Sequence, residues 1–286
     1  MSTTAKSGPV AVIGATGQQG AATVDALLER GRTVRALVRN PAGAAARALA
    51  DRGVEVVAAD LDAPSSIEQA FAGVAGAFAM TTFGGAEGTA GEVRHGRIIG
   101  DAARAAGLPL LVYSSVGGAE RRTGIPHFDS KWQVEEYLRP LVPLNVLRPT
   151  FFMENLRYLV RRDGDRVRLA LPLPAGIPLQ MVAVADIGRT AAALLDAADP
   201  TAAPIEIAGD ELTGEQMADA IGTALGIPTD YAAAPLDVLG DDEDGRTMFS
   251  WFTRLPAYRA DFARTARLVP GVENFAAWLQ RNPILG

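Results

Sequence analysis

The sequence predicts an α/β protein built on a doubly wound parallel sheet. Short β-branched runs alternate with amphipathic segments over the first 150 residues, and the first run breaks into a glycine-spaced turn that opens a helix. Length agrees. The 286 residues exceed a usual domain of roughly 150 and accommodate one large α/β core carrying a smaller lobe.

Residues 9–13 form a compact apolar run that ends at Gly14. From Ala21 the period turns helical, with Val24, Leu27 and Leu28 on one face and Gly31 as the stop. Further strands are expected at 33–38, 54–58, 74–80, 109–114 and 144–147, separated by helices at 41–51, 65–72, 88–106 and 127–139. Strands that are apolar throughout are buried on both faces, as parallel βαβ units require. After Pro149 the regularity degrades into short apolar runs, many prolines, an acidic stretch at 240–245 (GDDEDG) and a helical end containing Trp and Phe. This part is expected to form a smaller α/β lobe, interleaved with the sheet and closing over its C-terminal edge. The expected organisation is a disordered tail over 1–7, a nucleotide-binding core over 8–150 and the lobe over 151–286.

Composition narrows the function. There is no cysteine, which excludes disulfides, a thiol nucleophile, iron-sulfur clusters and Cys-based zinc sites, and favours a reducing compartment. Two histidines leave little for a metal, and none is expected. Lys+Arg 27 against Asp+Glu 33 gives −6 and a pI near 5.1, which argues against a broad grip on nucleic acid or an anionic membrane. The long uncharged runs, 69–86 and 169–185, are broken by glycines in the first and by Pro172, Pro174 and Pro178 in the second, so neither reads as a membrane helix. The opening MSTTAKSG has no apolar core of a signal peptide. A soluble, unexported, cytoplasmic protein is expected.

The sharpest motif is Gly14-Ala15-Thr16-Gly17-Gln18-Gln19-Gly20, at a strand-to-helix turn where a pyrophosphate would rest on a helix N-terminus. Gly14 permits the tight turn, Gly17 lets the backbone approach the phosphates, and Gly20 lets helix and strand pack closely. The loop thereby offers Thr16, Gln18 and Gln19 as further cofactor neighbours. At the end of the second strand, Leu37-Val38-Arg39-Asn40 carries no acid for a ribose 2′-hydroxyl, whereas the Arg39 guanidinium suits the 2′-phosphate of NADP(H). The alternative for Arg39 is a solvated surface arginine, and Arg35, inside the strand, is the weaker partner. Asp60 and Leu61 end the third strand, where Asp60 would accept from the adenine amine or serve as a loop or capping acid. Thr81, Thr82 and Phe83 end the fourth strand and border the same crevice.

The chemistry is expected where Tyr113-Ser114-Ser115 ends the fifth strand and His127-Phe128-Asp129-Ser130-Lys131 opens the next helix. Ser114, His127 and Lys131 are the candidate catalytic groups. His127 and Lys131 lie one turn apart and share a face with Glu135. Lys131 could hold cofactor hydroxyls or act as acid or base, or simply form a surface pair with Glu135. His127 is a proton donor or only a helix-start residue. Phe151 and Phe152, after Arg148-Pro149-Thr150, floor a nicotinamide pocket or pack the core.

Together GATGQQG, the following ALVRNP, YSSVGG, HFDSKWQVEEYL, RPTFFMENL and VAVADIG resemble the NmrA-like branch of the atypical short-chain dehydrogenase/reductases over roughly residues 8 to 230. The resemblance implies a Rossmann core that prefers NADP(H), with the phosphate loop on Gly14, Gly17 and Gly20, the 2′-phosphate contact on Arg39 and the nicotinamide-ribose lysine on Lys131. The branch joins redox sensors, which act through protein partners, to plant ether and quinone reductases, which transfer hydride. Here the tyrosine of the reductase YxxxK pattern is His127. Two functions follow: an NADPH-dependent reductase of a quinone, enone or carbonyl, and an NADP(H)-sensing regulator with a protein partner. No basic recognition helix or finger motif supports direct nucleic-acid binding, and a homodimer is compatible with either function.

Overall fold

The computed structural model describes residues 8–197, 200, 201 and 203–285. The expected disordered tail at 1–7 lies outside the described residues. The elements of the first half run β1 (Val10–Ile13), α1 (Gln18–Glu29), β2 (Val34–Val38), α2 (Ala44–Asp51), β3 (Glu55–Ala58), α3 (Pro64–Phe71), β4 (Gly76–Met80), α4 (Gly88–Ala105), β5 (Leu111–Ser114), α5 (Pro126–Leu138) and β6 (Leu144–Pro149). Each expected strand and helix is present, with ends shifted by up to three residues. The second half adds β7 (Phe151–Phe152), β8 (Val160–Asp163), β9 (Arg166–Leu171), β10 (Leu179–Val182), α6 (Val184–Asp196), β11 (Ile205–Ile207), β12 (Asp210–Leu212), α7 (Gly214–Leu225), β13 (Thr229–Ala233), α8 (Glu243–Phe252), α9 (Phe262–Leu268) and α10 (Phe275–Arg281).

Seven parallel strands form one sheet in the order β11-β6-β5-β4-β1-β2-β3. The order reverses between β1 and β4, which opens the crevice where ligands of such sheets bind. On one face α1 and α6 cover Val12, Val34, Phe78 and Val112; on the other α3, α4 and α5 cover Ala11, Leu37, Ala77 and Leu111. Two small sheets, β12-β10-β7 and β13-β9-β8, make the additional layer of the C-terminal part. Its apolar core is seated on the start of α5, where Phe128 meets Trp251 edge-on at 5.4 Å between ring centres. No helix among the described residues is long and apolar enough to cross a membrane.

The outer strand of the sheet was not among the six expected. β11 is only three residues, Ile-Glu-Ile, too short for alternation to speak, yet it pairs with β6 from Leu147 to Pro149. It follows α6, which packs so tightly on α1 that a Cβ at Gly188 would sit 2.3 Å from the Ala22 carbonyl carbon and oxygen. Backbone cannot yield there as a flexible side chain would. Gly188→Ala is therefore expected to cost about 1–3 kcal/mol. A lower denaturant midpoint at unchanged slope would report it.

Candidate functional site

The glycine loop is shaped by contacts that exclude side chains. Gly14 has φ +68°, and a Cβ on Gly20 would lie 2.0 Å from the Gly14 carbonyl oxygen, so the first turn of α1 presses directly on the loop. Gly17 donates its amide to Gly14 O at 2.8 Å and stands at the N-cap without any side chain to cap the helix, whose first turn also carries no acid. The amides and positive end of the dipole are left for an anion, which fits a pyrophosphate. Thr16, Gly17 and Gln18 are exposed, whereas Gln19 turns inward and its Oε1 accepts from Ser114 Oγ at 2.6 Å. Ser114 thus anchors the loop to the end of β5.

The two arginines of β2 separate cleanly. Arg35 is consumed by structure: Nε donates to Glu55 at 2.9 Å and Nη1 to the carbonyls of Ala70 and Ala72. Arg39 is exposed and makes no hydrogen bond or ion pair among the described residues, so its guanidinium is available at the rim of the crevice. Asp60 Oδ1 accepts from the Asp62 amide at 3.0 Å, while Leu61 packs partly against the α3–α4–α5 core. Thr82 receives the Gly84 amide and is exposed. Phe83 lies 40% exposed at the crevice and stacks on the His127 ring.

At the ends of β4 and β5 a closed polar network surrounds Glu92, a fully buried acid in the second turn of α4. Its Oε1 accepts from Lys131 Nζ at 2.9 Å and Thr81 Oγ1 at 3.0 Å, and its Oε2 accepts from Ser130 Oγ at 2.5 Å. Thr81 in turn accepts from the Tyr113 hydroxyl at 2.8 Å. Burial, together with the Glu92 charge, pushes the Tyr113 phenol well above its ordinary range, so it is a neutral donor. Lys131 also donates to the Thr81 carbonyl at 3.0 Å. Two of its three ammonium hydrogens are committed, and the third remains for a ligand.

The surface pair of Lys131 with Glu135 does not form. Lys131 is buried on Glu92, and Glu135 is itself fully buried and held in a fork by Arg148, at 2.9 Å from Nε and 2.7 Å from Nη2. Helical spacing put Lys131 and Glu135 on one face but could not show that two other elements compete for them. Phe151 joins the C-terminal core, 6.3 Å from Phe252, and is packing; Phe152 is half-buried against the α1–α6 face. His127 stands at the start of α5 with Nδ1 2.5 Å from Asp244 Oδ2. Neither Glu92 nor Asp244 was among the expected site residues. Glu92 carried a signal, since it shares the i, i+4, i+8 face with Gly96 and Gly100, the glycines on which α5 packs.

A seven-stranded parallel sheet with this loop defines a Rossmann-type protein. The NmrA-like family pattern matches residues 6–267, and the chain belongs to that family. It is 34% identical over 158 residues to an NmrA-like family domain-containing oxidoreductase, FrzB, of Cladobotryum sp., covering 51% of this chain and 47% of that one, so the match spans about half of the relative. Among solved structures it resembles the negative transcriptional regulator NmrA in complex with NAD, with TM-score 0.83, 21% identity and 96% and 95% of the two chains covered. It also resembles the triphenylmethane reductase of Citrobacter sp. complexed with NADP(H), with TM-score 0.81, 20% identity and 95% and 99% covered.

The network predicts its own energetics. Glu92→Leu leaves a buried ammonium without its counter-charge and is expected to destabilise by about 3–5 kcal/mol. Lys131→Met in the same chain should recover much of that loss. Denaturant unfolding of both single variants and the double variant reads the coupling.

Proposed function

We propose that the protein is an NADPH-dependent reductase of a small electrophilic molecule: a quinone, an enone or a carbonyl compound. The observation that carries this reading is the Lys131 ammonium, pinned by Glu92 and the Thr81 carbonyl at the C-terminal edge of β4 with one hydrogen uncommitted. From there it would hold a nicotinamide-ribose hydroxyl. The uncapped start of α1 would receive the pyrophosphate, and Arg39 would pair with the 2′-phosphate as a bidentate donor. Thr16, Gln18, Thr82, Phe83 and Phe152 would line the cofactor's path. Bound NADPH supplies a hydride. Phe83, stacked on His127, and the aromatic seam from Phe128 to Trp251 would limit water around the acceptor, and His127 would deliver the proton.

A second reading has its own support. The position of the reductase phenol is a histidine tied to α8, so dinucleotide occupancy beside Lys131 would bear on how the C-terminal part sits. That would suit an NADP(H)-sensing regulator acting through a protein partner, and the NmrA likeness is in keeping with it.

Titration of NADP+, NADPH, NAD+ and NADH into the wild type and Arg39→Ala, followed by a stopped-flow menadione challenge, separates the two. Loss of Arg39 is expected to weaken NADPH about ten- to hundredfold and leave NADH unchanged. Rapid NADPH oxidation by menadione supports the reductase. Tight NADPH binding without oxidation would favour the sensor.

A further inference from the structure

One carboxylate holds His127 at two points. Asp244 Oδ1 accepts from the His127 backbone amide at 2.9 Å, and Oδ2 faces the ring Nδ1 at 2.5 Å. The ring is fixed in plane as well, stacked on Phe83 at 4.8 Å and 21° and met edge-on by Phe128 at 4.7 Å. Its other nitrogen, Nε2, has no hydrogen-bond partner among the described residues and is not sealed from solvent. Asp244 belongs to the first turn of α8, 117 positions beyond His127, within the acidic stretch that the proposed function leaves unused. Burial works to raise the Asp244 carboxyl, but the His127 hydrogen bonds and charge hold it below the usual aspartate value.

We propose that Asp244 is a positioning residue for proton delivery: it keeps a hydrogen on His127 Nδ1, so that Nε2 is the atom that protonates the reduced substrate. This rests on the reductase reading. The backbone amide is a donor in every protonation state, so Oδ1 is committed to it. Oδ2, an acceptor only, then requires Nδ1–H. In the protonated ring Nε2 also carries hydrogen, and His127 precedes Lys131 by one helical turn. A quinone that has received a hydride is a hydroquinone monoanion. The Nε2–H bond breaks with its electron pair staying on nitrogen, an O–H bond forms on the anionic oxygen, and the neutral ring left behind is still held through Nδ1–H. Solvent returns the proton to Nε2.

Asp244→Asn inverts this arrangement. The Asn oxygen must face the backbone amide, so its NH2 faces Nδ1, which can then only accept. That hydrogen bond favours the tautomer with hydrogen on Nε2 and opposes placing one on Nδ1. The chain has two histidines, so His95→Gln leaves a single imidazole to observe by 15N NMR. In that background the expected spectrum shows hydrogen on Nδ1 with Asp244 and a bare Nδ1 with D244N. In stopped flow with NADPH and menadione, D244N should oxidise NADPH about tenfold more slowly or worse, with the quinone KM within about twofold. Asp244→Glu should regain part of the rate, and Glu243→Gln, which removes the neighbouring exposed acid, should match the wild type. An unfolding midpoint equal to the wild type's excludes misfolding as the cause. The same tautomer in D244N, or an undiminished rate, overturns the proposal. No oxidation by the wild type, with the tautomer contrast intact, overturns the reductase reading and the proton-delivery role together; oxidation by the wild type without the contrast overturns the role of Asp244 alone.

Discussion

The arrangement of the site depends on one buried charge. The Glu92 carboxylate is closed off from water, and a carboxylate in such surroundings is tolerated only with its lone pairs filled. The donors come from Thr81 at the end of β4 and from Ser130 and Lys131 on α5, with the Tyr113 hydroxyl of β5 behind Thr81. Four elements must therefore meet in one register. Because the hydroxyls can donate in one direction only, from Tyr113 through Thr81 to Glu92, the network has a fixed polarity, and its cation ends at the sheet edge. Lys131 is aimed before any ligand arrives.

The C-terminal part is fastened to this frame by packing and charge. Arg121 donates to the Ala257 carbonyl at 2.6 Å and pairs with Glu206 of β11, whose carboxylate also receives the Arg259 amide. Arg148 joins Glu135 to Glu120 in a second cluster at the end of β6. Between them the loop after β5 is roofed by aromatics: a Cβ on Gly117 would lie 2.8 Å from Tyr258 and one on Gly118 2.9 Å from Trp251. The two glycines after Val116 thus let Tyr258 and Trp251 press directly on the loop that follows β5. The same seam continues to α5, where Phe128 meets Trp251 edge-on.

How much of this was readable from the sequence divides along physical lines. The glycine loop, the alternation of strands with helices and the places of the first six strands along the chain follow from local rules of backbone freedom and hydrophobic period, and these the chain states openly. Arg39 and Arg35 were distinguished only by their distance from the strand end, and the structure adds the reason: Arg35 is spent on Glu55 and two carbonyls. Lys131 was recognisable, but its partner was not, since Glu92 lies 39 residues away on another helix. Asp244 was hidden in a run of four acids, of which composition marks all equally and tertiary contact selects one. Pairings between distant elements leave no periodic trace, whereas the faces that receive them do.

The three residues of β11 have a consequence for how the chain is made. Emerging from the ribosome N-terminus first, the core presents six strands while the edge of β6 stays open, with Leu147 through Pro149 unpaired. That edge is buried in the finished protein, and an unpaired strand edge is the kind of surface on which other chains can add. It closes only when residue 207 is available, after β7 to β10 and α6 have been synthesised. The sheet is therefore completed late in the chain, by a strand separated from its neighbour by more than fifty residues.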